Sequence, residues 1–184
     1  GARVSEQQFI QKRNNVIVED IRYFYYLTTF FEMLGENEKL FFLPSTGLKN
    51  LPILVNLMMG WKLDFVVLLS GNVEAKKVYK ELNGLFSLKE DETEQEKILR
   101  LEGFSSIEDL FTTIDFKKHV LHRRVGITEA NSEYIEIHNL STVELASNFM
   151  LHVANADLKF EDFDDDTQKN IKYLITKIKD ALRK

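Results

Sequence analysis

Five consecutive apolar residues, Phe65-Val66-Val67-Leu68-Leu69, stand between Asp64 and a tight Ser70-Gly71-Asn72 turn, and an amphipathic helical pattern follows from Val73 to Phe86. A short apolar run bounded by turn residues reads as a buried strand. The same unit recurs along the first two thirds of the chain. Asn15 to Val18 is a β-branched run ending at Glu19-Asp20, after which Ile21, Phe24, Leu27, Phe31 and Leu34 recur at helical spacing and Gly35 closes the helix. Leu40 to Leu43 is a second strand stopped by Pro44. Ser45-Thr46-Gly47 then turns into a helix ending near Met59, whose apolar residues lie on nearly all sides, as in a helix buried between layers or in an interface. Ile98 to Leu101 supplies a fourth, edge-like strand, after a charged segment, Lys89 to Lys97, expected as solvated loop or helix. Strand alternating with helix predicts an α/β fold: a four-stranded, mostly parallel sheet flanked by helices, with its strand C-terminal ends on one rim.

After Phe111 the rhythm changes. Asp115 to Arg124 reads as a basic helix, and Tyr134 to Ile137 is ambiguous between strand and turn. Val143, Ala146, Phe149, Met150 and Val153 form one apolar stripe, and Ile171, Leu174, Ile175, Ile178 and Leu182 another. The expected division is an α/β domain over residues 1–125 and a helical C-terminal extension over 126–184 packed on it. The chain has 184 residues and is 44% hydrophobic, enough to bury a real core. It has no cysteine, which removes thiol nucleophiles and thiolate metal sites and suits a reducing, cytoplasmic setting. Its net charge of −5 gives no global attraction to nucleic acid or anionic lipid. Pro52, Lys62 and Asp64 interrupt the most apolar window, so no membrane span is expected. Gly1 stands where an initiating Met would, and the chain is expected to be a portion of something longer.

The corners after the strands would share the rim, and two of the segments there carry acids. Glu19-Asp20 follows the first strand, and Glu108-Asp109 follows the fourth. Carboxylates converging from separate strand ends suit magnesium, which takes one or two carboxylates with water and phosphate oxygens. The competing reading is that acids ahead of a helix satisfy its amides and dipole.

These segments resemble a known family. Val16-Ile-Val-Glu19-Asp-Ile-Arg-Tyr-Phe-Tyr-Tyr-Leu27 is similar to the first motif of a Toprim domain, in the version found in the OLD (overcoming lysogenization defect) family of ATP-dependent nucleases. Leu43-Pro-Ser-Thr-Gly47 followed by Asn50-Leu-Pro is similar to its glycine turn. Val66-Val-Leu-Leu-Ser70-Gly-Asn72 lies over its Asp-x-Asp turn, and Ser106-Ile-Glu108-Asp109-Leu-Phe111 over its downstream acidic motif. The resemblance implies a Toprim-like, Rossmann-like fold and a centre that cuts DNA with Mg²⁺ or Mn²⁺. It also implies an ATPase domain as partner, in the same longer chain or in another.

The departures are in the chemistry. Glu19 matches the family's catalytic glutamate. Asp20 occupies a glycine position, Tyr23 replaces the first-motif aspartate, and Ser70 and Asn72 replace both aspartates of the metal turn. Losing even an outer-shell partner of a metal costs about 10–100-fold in affinity or activity, and three lost direct ligands cost more. The expectation is therefore a catalytically degenerate module serving nucleic-acid binding, interaction or assembly, as a monomer or a homo-oligomer. Its rival is an active endonuclease using Glu19, Asp20, Glu108 and Asp109 around Mg²⁺ or Mn²⁺ bound weakly, and the expected cofactor is that ion or none. Lys117, Lys118, Arg123 and Arg124 form the densest basic cluster and, with Lys49, are the candidate nucleic-acid contacts. His119 and His122 read as surface histidines of a basic helix, and Asp162, Asp164 and Asp166 as acids capping the last helix. Ser70 lacks a nucleophile elbow, and Ser45 to Asn50 lacks P-loop spacing.

Overall fold

A computed structural model describes residues 12–87 and 97–183. Four strands form one all-parallel sheet in the order β2-β1-β3-β4: β1 Asn15–Val18, β2 Phe41–Pro44, β3 Phe65–Leu69 and β4 Ile98–Arg100. The strand boundaries follow the apolar runs, and the sheet has no antiparallel member. Of the charged Lys89 to Lys97 segment, only Lys97 lies within the described residues, and its ammonium meets Asp64 at 2.9 Å.

The first three intervals carry helices: α1 Ile21–Met33, α2 Leu51–Gly60 and α3 Val73–Ser87. Asp20 begins α1, its carboxylate accepting the Arg22 amide at 3.1 Å. Gly35 ends it in the left-handed region (φ 64°), so that the amides of Gly35 and Glu36 return to the Glu32 and Phe31 carbonyls. Alternation along the strands divides the interior. Val16, Val18 and Leu68 face a core shared with α1 and the C-terminal helices, while Ile17, Val67 and Leu69 face α2 and α3. Helix α2 buries Leu51, Val55 and Met58 but leaves Ile53 and Leu57 exposed, with Trp61 just beyond it.

The C-terminal third is helical. A turn at Thr113–Asp115 runs into a π-helix, Phe116–Leu121, and α4 Asn131–Ile137, α5 Thr142–Asn155 and α6 Asp165–Leu182 follow. The segment Tyr134 to Ile137, ambiguous in the sequence, is therefore helix. Its β-branched residues are outvoted by tertiary contacts that bury Tyr134 and Ile135. Phe111, Phe149 and Phe163 join Tyr26 and Phe30 of α1 in one aromatic cluster, with ring centroids 5.2–6.3 Å apart. The two intervals of the sequence thus share a core. No helix among the described residues is long and apolar enough to cross a membrane.

Because the connection after β1 runs to β2 on one side and the connection after β3 runs to β4 on the other, the gap between the C-terminal ends of the adjacent strands β1 and β3 is a topological switch point. Beside it, the Gly71 amide donates to the Phe104 carbonyl at 3.0 Å. A Cβ on Gly71 would collide with that oxygen and lie 2.8 Å from the Leu101 carbonyl. Gly71→Ala is expected to lower stability by about 1–3 kcal/mol, read as an earlier urea midpoint at unchanged slope, because both obstacles are backbone.

Candidate functional site

Glu19 leaves β1 at the switch point and turns inward. It is 2% exposed, and its Oε1 accepts the Ser70 amide of the neighbouring strand at 2.6 Å. This single bond spans the two strand ends between which an open α/β sheet ordinarily admits ligand. Burial pushes the Glu19 carboxyl above its ordinary value, opposed by Ser70 and by the nearby Arg22 charge.

Arg22, one turn into α1, is the centre of the cluster. Its Nε lies 3.1 Å from Asp20 Oδ2, and one terminal nitrogen lies 3.3 Å from Glu108 Oε1. Glu108 is completely buried, and its other oxygen accepts the Ser106 hydroxyl at 2.6 Å. Burial opposes the guanidinium charge, but Glu108, then Tyr23, Asp20 and Glu19, outweigh it and hold Arg22 firmly protonated. Tyr23 and Ser70 are fully buried in the same polar cluster, and neither hydroxyl has a hydrogen bond of proper geometry. Burial, reinforced by Glu19, raises the Tyr23 phenol well above its usual range, so it stays neutral.

The remaining candidates have separate work. Asp109 accepts the amide and hydroxyl of Ser132 at 2.9 and 2.7 Å and the Ser106 amide at 3.2 Å, joining the turn Ile107–Leu110 to α4. Asn72 Oδ1 accepts the Ala75 amide at 2.8 Å and so caps α3. Of the four acids proposed as a rearranged metal set, the structure therefore gathers Glu19, Asp20 and Glu108 about one guanidinium and commits Asp109 to a helix start. No group of three or more His, Asp or Glu side chains among the described residues is arranged to hold a metal ion. This donor set does not fit a paired-ion centre: the converging carboxylates face a fixed organic cation.

The basic candidates divide as well. Lys117, Lys118, Arg123 and Arg124 line one open cleft of about 660 Å³, together with Ile114, His122 and Val125, whereas Lys49 stands exposed apart from them in the turn Leu48–Asn50. The cleft is shaped by the π-helix. His122 ends it in the left-handed region (φ 54°), and the Arg123 amide returns to the Lys117 carbonyl at 3.2 Å. No ion pair among the described residues engages any of the four cations, and no acid lines the cleft.

Two expectations are corrected here. His119 is not at the surface but 3% exposed, with its Nδ1 3.3 Å from His152 Nε2 of α5 and its ring edge-on to Phe163; only His122 is exposed, its ring 4.5 Å from that of His152. The signal that was missed is His152 on the partly apolar face of the Val143 stripe. Asp164 does begin α6, but its carboxylate accepts the Thr112 hydroxyl at 2.6 Å and caps nothing. Asp162 instead accepts the Lys159 amide at 2.8 Å, while Asp165 and Asp166 occupy the first turn of α6, where the helix dipole favours them.

Two outcomes are expected. With Glu19 raised above its ordinary 4.5, the folded state binds its proton more tightly, so the ionised form weighs against folding at neutral pH. Glu19→Gln keeps the acceptor for Ser70 and brings an amide that the idle Tyr23 and Ser70 hydroxyls can accept. Its melting temperature should exceed the parent's at pH 7.5, and the gap should close on acidification toward pH 4.5. Burial lowers His119 and His152 below their ordinary 6.5, with Asp115 opposing at His119. The unfolded chain then protonates first, so these histidines remove stability as pH falls below about 6.5. His119→Gln should flatten that part of the parent's curve of melting temperature against pH.

No family model matches the chain, and no curated protein or solved structure is significantly similar to it.

Proposed function

We propose that this chain is a Toprim-like module whose hydrolytic centre has been retired, and that it binds the phosphate backbone of nucleic acid through the cleft beside the π-helix. The observation that carries the first half is Arg22, held 3.1 Å from Asp20 and 3.3 Å from Glu108 while Glu19 is engaged by Ser70. A divalent ion seated there must displace a buried guanidinium from its carboxylate. Breaking one side of a buried pair costs about 3–5 kcal/mol, on the order of 10²–10⁴ in metal affinity. Ser70 and Asn72 bring no negative charge to offset that loss.

The second half rests on the contrast between the whole and the part. The chain carries a net charge of −5, yet four cations line one cleft with no acid among its walls. Unpaired lysines and arginines are what a polyanionic backbone recruits, since each neutralised phosphate releases condensed counterions. Lys49, in the turn Leu48–Asn50, does not line that cleft and is not counted with it. On this reading the module delivers nucleic acid to an ATPase domain, in its own chain or a partner's, and leaves cutting to another centre.

Fluorescence anisotropy with labelled DNA, single-stranded and duplex, tests the binding. Affinity should fall steeply with salt, and the double variant Lys118→Gln, Arg124→Gln should flatten the plot of log affinity against log salt by roughly 1.5–2 units. Incubation with Mn²⁺ should leave the DNA intact. Metal-dependent cleavage that disappears in Glu19→Gln would restore the active-nuclease reading.

A further inference from the structure

A second cleft, of about 510 Å³, opens where β4 ends, bounded by α3, the segment after β4 and α6. It lies past β3 toward the β4 edge of the rim, not at the switch point that Glu19 closes. Three cations reach it from three elements: Lys76 of α3, Arg100 of β4 and Lys177 of α6. Among the described residues that line it, one acid answers them. Glu102 stands 3.6 Å from Lys177 and is itself largely exposed. Arg100 packs its guanidinium 5.2 Å above the centre of the Tyr79 ring, and its Nε is buried with no hydrogen-bond acceptor among the described residues. Among the described residues neither Arg100 nor Lys76 takes part in an ion pair.

A guanidinium stacked on an aromatic face is fixed in orientation, and its in-plane N–H groups remain free for a planar pair of oxygens. A buried donor without an acceptor is unfavourable until an anion arrives. Three cations against one carboxylate exceed what a single carboxylate ligand would balance, and the volume is that of a small-molecule site. The ring face of Tyr79 toward Arg100 is already occupied, so stacking of a nucleobase there is not the source of recognition. We infer that this cleft binds a phosphorylated small molecule through two or more phosphate groups, with Arg100 as the oriented donor and Lys76 and Lys177 as flanking charges. This assignment is independent of the nucleic-acid cleft, which shares none of its residues.

Inorganic tripolyphosphate is the probe, titrated into the full chain by calorimetry and by amide shift mapping at constant ionic strength. One saturable site is expected, with the largest shifts at Gly103 and Ser105. Arg100→Gln should weaken it by about 10-fold, the size of one charged hydrogen bond. The pair Lys76→Gln, Lys177→Gln, the first exposed and the second half-buried, should weaken it comparably with the melting temperature little changed, which keeps the test valid should Arg100→Gln fold poorly. Lys118→Gln, Arg124→Gln should leave it unaltered. Shifts centred on Lys117 to Arg124, undiminished binding in the Lys76 and Lys177 variant, or displacement of tripolyphosphate by a DNA oligonucleotide at the same residues would each overturn the assignment. The last would give the cleft to a phosphodiester backbone.

Discussion

A guanidinium inside the carboxyl end of the sheet, shared between Asp20 and Glu108 and within the field of Glu19, governs how this molecule can be built there. Three acids close together at a sheet edge repel one another and must be hydrated, protonated, metallated or paired. Arg22 pairs Asp20 and Glu108 with a permanently charged group the chain itself supplies, while Glu19, within its field, accepts the Ser70 amide. The neighbouring positions then follow. Tyr23 can be a fully buried aromatic instead of an acid, and Ser70 can present its amide to Glu19. The loop after β4 can close over Gly71. Packing has taken over ground that hydration would otherwise hold.

The fold was readable because the signals that specify it are local. The apolar runs at Val16, Phe42 and Val67 become strands, and the stripes at Phe149 and Ile175 become helices that bury those side chains. Even the Asp109 cap has a local signature, Ser106-x-x-Asp109, that signals a helical start more directly than a ligand. The site was only half legible. Glu19, Tyr23, Ser70 and Glu108 do meet in a polar cluster under the rim, yet Arg22 was passed over, since one arginine near the start of an aromatic-rich helix looks like a solvated residue. Its partner Glu108 lies 86 positions away, and no periodicity connects them. His119 was misjudged for the same reason. Its neighbours Lys117 and Lys118 suggested an exposed face, but the π-helix turns it beneath α5 to meet His152. Local pattern specifies which residues are buried in an element; it does not specify which distant charge or ring meets them.

Charge on the surface is organised independently of that buried cluster. Some cations sit beside acids, among them Lys179 with Glu36 and Arg183 with Glu38. The cleft at Lys117 to Arg124 gathers four that pair with no acid among the described residues, and the one formed by Arg100, Lys76 and Lys177 has a single acid among its described walls, Glu102. An acidic protein can therefore present two separate anion-attracting hollows while its average potential remains negative, because salt screens charges beyond about 10 Å.

The buried hydroxyls of Tyr23 and Ser70 have an implication for substitution at the rim. Each marks a position where an aspartate would complete the motif the sequence resembles, and each is sealed from water. An acid introduced at either place alone would join Glu19 with no additional cation to answer it, and would protonate or unfold its surroundings before any metal arrived. A metal centre built here by substitution would have no stable stepping stones: several exchanges, including the loss of Arg22, would have to be made together. The arginine thus makes acidic substitution at this rim a concerted change and not a gradual one.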